Sequence, residues 1–376
     1  MKRAFLVGVL AFAATHSGCG SSDSDPPGGS TGGSDGGTAG TGGASGSGGT
    51  GAGGVGGSGG TTSQPEILAD DLDKVQCVGT DGSNIYWGDW YGVTTDGGIK
   101  TCPAGGCGAA GPSVVISGLE QGHGCQQVIV SGKNLYWFDG ALQRCSSSLP
   151  ACDSPIGLGG YVGHSGSCAI DAAHAYCTGN DQYSGNLIRV PLSSTGQGNY
   201  DYFSSSEWVG AVATNGQQVF WTGEGSINSC STNGCDRVVL ASGLDDPTAV
   251  AATAENVYWM SRDGLFSCPT SGCGMAPSKL AGGPSTVNPP SMGERIWAEM
   301  QASGGTLYWL WRYADSDSGI YRCSETDCAT TLTALAKEET TRSMALDAGF
   351  VYWVRYTIND SIMGTPGPGT ILRIAR

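Results

Sequence analysis

Seven short aromatic segments recur along this chain, and their spacing restricts it to a repeat architecture. They are Ile85-Tyr86-Trp87, Leu135-Tyr136-Trp137, Ala175-Tyr176-Cys177, Val219-Phe220-Trp221, Val257-Tyr258-Trp259, Leu307-Tyr308-Trp309 and Val351-Tyr352-Trp353. Successive segments lie 38 to 50 residues apart. That is the period of a propeller blade, a unit of four short strands. Each repeat reads alike. A first strand such as Ala249-Val250-Ala251 leads to a polar turn such as Asp81-Gly82-Ser83-Asn84. The aromatic segment lies in the second strand, and a glycine opens the third, as in Gly264-Leu265-Phe266. The fourth has its own signature, seen in Val115-Ile116-Ser117-Gly118-Leu119. The seventh repeat stops after its third strand, at Arg376, and Ile67 to Leu72 reads as the missing fourth. The expected fold is all-β: a seven-bladed β-propeller over residues 65–376, closed by an N-terminal strand so that no sheet edge stays open.

Composition narrows the functions. Of 376 residues 39% are hydrophobic and 14% charged, and 65 are glycine, which suits many short strands joined by turns. The formal net charge of -15 argues against nucleic acid, because neutralising phosphates needs a basic stripe. The same charge repels an anionic bilayer, so membrane attachment is expected to be covalent. Residues 1–18 have the parts of an export signal. Lys2 and Arg3 are positive, and Ala4 to Ala14 form an apolar run of about eleven residues, too short to span a bilayer. Residues 19–64 are mostly Gly, Ser and Thr. Such a segment cannot bury enough apolar surface to offset its ordering entropy, so a disordered linker is expected. As a flexible coil it would span about 35–40 Å.

Two resemblances follow from these residues. Ser17-Gly18-Cys19 is similar to the lipobox of bacterial lipoproteins, with His16 where an aliphatic residue is usual. The resemblance implies lipidation of Cys19, and Gly20 in place of an aspartate points to the outer membrane or cell surface rather than the inner membrane. Without the lipid, a periplasmic or secreted protein is expected. The Tyr-Trp pairs resemble YWTD propellers of lipoprotein-receptor type, most closely at Phe220-Trp221-Thr222-Gly223. The Asp after Thr is absent, and those propellers have six blades. This resemblance implies an extracellular binding role without naming a ligand.

Fifteen cysteines are present, and setting Cys19 aside leaves an even fourteen, as a disulfide framework requires. Five pairs are local: Cys102/Cys107, Cys145/Cys152, Cys230/Cys235, Cys268/Cys273 and Cys323/Cys328. Each falls between the third and fourth strands of its blade, where a bridge is expected to staple a hairpin turn. The other four are less constrained by spacing. Cys168 and Cys177 flank one inner hairpin, while Cys77 and Cys125 open inner strands of adjacent blades, so these two pairings are expected but left open. Zinc would need pairs converging from two places, whereas these diverge around a ring. No metal or cofactor is expected.

No nucleophile elbow, zinc helix or phosphate loop is present. Loop length is the better guide to function. The connections read as long are Gly88 to Gly97, Leu310 to Ser318, Val354 to Pro368 and Gly282 to Glu299, with a moderate one from Thr178 to Ser184. They place a cluster on one face of blades six, seven and one: Trp90, Tyr91, Trp297, Trp311, Arg312, Tyr313, Arg355 and Tyr356. Aromatic and arginine side chains are those expected at binding hot spots. The expected function is a monomeric cell-surface binding or scaffold protein whose partner is an extracellular protein or glycan. The alternative is a lyase or hydrolase acting on an extracellular polymer through carboxylates such as Glu294, Asp315 or Asp317. A third reading, a structural envelope protein, is favoured if the aromatics are buried.

Overall fold

The computed structural model describes residues 64–376, except 73–74, 90–96, 120–124, 139–140, 147–151, 153–154, 162–166, 181–184, 197–199, 206–208, 283–296, 313–317, 339 and 359–365. It is a seven-bladed β-propeller of seven four-stranded antiparallel sheets. Blade one runs through Val75–Thr80, Asn84–Asp89, Gly97–Pro103 and Ser113–Leu119. Blades two to six repeat this order, their inner strands starting at Gln127, Cys168, Val209, Ala249 and Trp297. Blade seven combines Thr341–Leu346, Phe350–Ile358 and Pro366–Ala375 with the N-terminal Glu66–Leu72 as its outer strand. Glu66 pairs in register with Arg373, and Arg373 Nη2 meets its carboxylate at 2.7 Å. The expected closure is therefore present.

The aromatic pair anchors each blade because neighbouring strand residues point to opposite faces. Each blade must pack against two neighbours, and one residue of the pair serves each. Tyr86 lies in the core between blades one and two, and Trp87 in the core between blades seven and one. Tyr352 and Trp353 divide likewise between the seams on either side of blade seven. Trp87, Trp137, Trp259 and Trp353 are fully buried. Blade three has Cys177 instead of Trp, and its disulfide to Cys168 helps to fill that seam.

The second tyrosine function is polar. Asp81, Asp171 and Asp347 each accept backbone N–H bonds across the inner turn and a bond from the Tyr hydroxyl five residues on, at 2.9, 2.9 and 2.6 Å. Blade four has Asn215 and Phe220 at these places, so acceptor and hydroxyl change together. Asn215 instead donates to Thr253 O of blade five at 3.1 Å.

The structure joins all seven cysteine pairs named above. Seven disulfides mark a domain that matures in an oxidising, extracellular-type environment. The local bridges do more than close their own turns. Backbone N–H groups of Cys107, Cys152 and Cys273 donate to Leu68 O, Val115 O and Leu240 O, each on the outer strand of the preceding blade.

Cys328 is bonded to Cys323 between the third and fourth strands of blade six, as expected, and within that connection it opens a one-turn α-helix, Cys328–Thr331. The cause is local. Asp327 is an N-cap residue, and its carboxylate accepts from Thr330 N at 3.4 Å, satisfying one of the free N–H groups of the first turn. The helical turn carries Cys328 inward, to 2% exposure in the core between blades five and six. This bridge therefore closes the connection between the third and fourth strands and also fixes a helix start into a seam. Among the described residues no helix is long and apolar enough to cross a membrane.

Strand pairing runs further than the spacing suggested. Leu310 to Arg312 continue the second strand of blade six, with Trp311 opposite Gly319. The blade-seven hairpin extends to the pair Ile358–Pro366. Thr178 to Asn180 and Trp297 to Glu299 are also strand. The connections assigned to these blades are correspondingly shorter.

Candidate functional site

The seven inner strands surround a central channel of about 1180 Å3. Each inner strand begins at the face where second strands end and fourth strands hand over to the next blade. That is the face with the longest connections, and the disulfide-closed turns lie on the other.

A position on each inner strand controls the channel wall near this mouth. It precedes the residue paired with the second anchor position, and in blades one to seven it is Cys77, Gln127, Ser167, Ala211, Ala249, Glu299 and Ser343. The inner strand of a blade has one edge without a sheet partner, so its N–H groups need other acceptors. At three seams this position supplies one to the following blade. Glu299 Oε2 accepts from Met344 N at 2.8 Å, Ser343 Oγ from Val78 N at 3.3 Å, and Gln127 Oε1 from Cys168 N at 2.8 Å. Between blades one and two the link is covalent, Cys77 to Cys125. Four successive seams, from blade six round to blade three, are thus tied. Blades three, four and five carry only Ser167, Ala211 and Ala249.

The preceding residues repeat the asymmetry. Blades seven, one and two present Arg342, Gln76 and Gln126, whereas blade four presents Gly210 and blade five Thr248. Glu224 and Asp246 stand at the rim on the blade-four side, and Arg262 pairs with Asp246 at 3.5 Å. Gln76 is 2% exposed and its Nε2 has no hydrogen-bond partner; Thr248 Oγ1 has none either. Glu299 keeps part of its surface open to the channel. Burial of its carboxylate among protein groups pushes it up to about 7, against the lowering pull of Met344 N–H, Arg342 and Ser343.

The residues expected from sequence are placed unevenly. Trp90, Tyr91 and Tyr313 lie outside the described residues, as do Cys19, Glu294, Asp315 and Asp317. Trp297 and Arg312 are register partners on the first two strands of blade six. Arg355 reaches Glu338 at 3.4 Å with its side chain 39% exposed, and Glu338 also accepts from Trp353 Nε1 at 3.4 Å. Burial pushes the Glu338 carboxyl up, partly offset by Arg355 and Trp353. Trp311 and Tyr356 are corrections. They are 2% and 5% exposed, because both lie in strand rather than loop. Trp311 belongs to the core between blades five and six that also holds Ala249, Met260 and Met300. Neither aromatic can act as an exposed loop residue.

Gln76, Glu299 and Arg342 were missed. A signal for them exists in the sequence: alignment of the seven inner strands on their anchors puts Gln, Glu and Arg in some repeats where others have Gly or Ala.

No protein-family model matches the chain, and no curated protein matches its sequence. Solved structures do match. A structure of U3-55K shares 12% identity at a TM-score of 0.56, over 82% of this chain and 98% of that one. A chain of a mitotic checkpoint complex shares 10% identity at 0.56, over 84% and 96%. A chain of a nidogen/laminin complex matches at 14% identity and a TM-score of 0.40, over 55% and 80%. At these identities the first two likenesses show the β-propeller fold alone.

Proposed function

We propose that this propeller is an exported binding protein that takes an extracellular protein or glycan on the face where its inner strands begin, in the sector of blades six, seven and one. The observation that carries this reading is the coincidence of two asymmetries. The strand-borne polar side chains of the channel gather on blades six, seven, one and two, and the longest connections enter over the same sector. Arg355 stands there with a partly exposed side chain, paired to Glu338, the kind of group that anchors polar partners. The opposite face is closed by short turns and disulfides, which serve stability. The test is a glycan array and affinity capture with the full chain, followed by a hydrogen-exchange footprint of any partner. Arg355→Glu is expected to weaken capture, with protection falling on the amides around Met344 and Val78. A footprint on the disulfide face would refute the assignment.

In this reading the export signal and Cys19 deliver the domain to the outside of the membrane, with residues 19–64 as its tether. Cys19→Ser is expected to move the protein from the membrane fraction to the soluble one.

A second reading, hydrolase or lyase chemistry on an extracellular polymer, has one observation in its favour. Glu299 is a channel carboxylate held near neutrality, as a general acid needs to be. Glu299→Gln would then abolish turnover of the polymer while retaining binding.

A further inference from the structure

Resting on the reading of this face as the binding face, we propose that the channel mouth holds a neutral saccharide of one or two rings, set between Gln76, Glu299 and Arg342 on one side and the small-residue wall of blades four and five on the other. The space is suitable, at about 1180 Å3 in total, comparable with small-molecule sites of several hundred to a thousand Å3. It is also lopsided, because Gly210 and Ala211 leave unfilled the volume that Gln, Glu and Arg occupy across the channel.

Chemistry selects the class of ligand. An apolar ligand would leave the wall polar groups without partners, and Gln76 Nε2 and Thr248 Oγ1 already have none in the protein. An anionic ligand would face Glu224 at the rim in a chain of formal net charge -15. A cationic ligand would meet Arg342, with Asp246 already paired to Arg262 and Glu299 partly neutralised by its surroundings. A neutral polyol suits both donors and acceptors. Its hydroxyls accept from amide and guanidinium N–H groups and donate to amide and carboxylate oxygens. Its ring C–H face rests on Gly210 and Ala211 opposite. The seam bonds from Glu299 to Met344 and from Ser343 to Val78 hold this wall in place before a ligand arrives, which reduces the ordering cost of binding.

The test is isothermal titration of the full chain with cellobiose, lactose and α-mannobiose. Digalacturonate and fully deacetylated chitobiose serve as anionic and cationic counterparts. Saturable binding of at least one neutral disaccharide is expected, with the charged ones at least tenfold weaker. Gln76→Leu, which removes an amide without changing bulk much, is expected to weaken binding at least tenfold while leaving the melting temperature level or higher. Ala211→Phe, which fills the open wall, is expected to abolish it. The proposal is overturned if no neutral disaccharide binds, if a charged one binds better, or if neither variant alters binding. A partner that protects the long-connection face with no saccharide bound in the channel would leave the surface reading standing and overturn this one. A saccharide lost on Gln76→Leu while protein partners footprint the disulfide face would do the reverse.

Discussion

The disulfide between Cys77 and Cys125 is expected to matter about twice as much to stability as any local bridge. Among the described residues it alone joins two blades, closing a chain segment of 48 residues, whereas Cys230–Cys235 closes one of five. In the chain-entropy account a loop of that length restricts the unfolded chain by about 4 kcal/mol, against about 2 kcal/mol for the short one. Burial adds to the contrast, since Cys77 and Cys125 are 0% and 1% exposed. Their removal also opens the one seam of the tied set whose link has no hydrogen-bonded substitute in the same place. The measurement is guanidinium denaturation under non-reducing conditions of Cys77→Ala/Cys125→Ala beside Cys230→Ala/Cys235→Ala. The slopes must be comparable for the midpoints to report stability. If the inter-blade variant loses no more stability than the local one, the argument that the channel wall ties blade to blade fails.

Three further outcomes follow from the same geometry. Glu299 has a folded-state pKa raised above its ordinary value of 4.5 to about 7, so the native state keeps a proton that the unfolded chain releases. Its stabilising contribution is therefore complete below about pH 4.5 and is lost as pH rises through 7, and Glu299→Gln should flatten that fall in a denaturation series from pH 4.5 to 8. Gly88 lies flat against the inter-blade disulfide: a Cβ there would stand 2.3 Å from Cys125 Cβ. Gly88→Ala should accordingly be strongly destabilising in the native background and much less so with Cys77→Ala/Cys125→Gly, which removes the Cβ it would meet, a coupling that a double-mutant cycle will read. Trp311→Ala should cost about 3–5 kcal/mol by opening the seam between blades five and six; a loss below about 1 kcal/mol would show that the indole is not core.

The fold was legible because its signal is redundant. Seven Tyr-Trp or variant pairs each had to serve two seams, so each repeat carried the same mark, and Ile67 to Leu72 stood where the seventh blade lacked a strand. The asymmetric channel was harder to read. Gln76, Glu299 and Arg342 sit on strands whose other residues are ordinary core, and only comparison at one register separates them from Gly210 and Ala249. The burial of Trp311 and Tyr356 was hidden for a related reason. Trp311-Arg312 and Arg355-Tyr356 look like polar-aromatic loop chemistry, yet strand alternation continues through them. One residue of each pair is therefore buried, which loop length alone cannot reveal. Spacing placed and paired Cys328 correctly but did not show its helical turn: Cys323/Cys328 has the same separation as Cys230/Cys235, and the turn comes from the cap at Asp327. Asp81 with Tyr86 and Asn215 with Phe220 show the opposite case, a pairing visible in sequence whose hydrogen bond only the structure explains.

The closing strand has a mechanical consequence. Any pull on the chain upstream of Glu66 enters the domain through Glu66–Leu72 and is carried first by its ladder with Pro366–Ala375. The load reaches the rim of blade seven before it reaches any blade-to-blade seam. The first event under tension would be release of that strand, leaving blade seven with three strands and the tied wall from blade six to blade three still in place. A ring built this way gives way first at the outer strand of blade seven, remote from its channel.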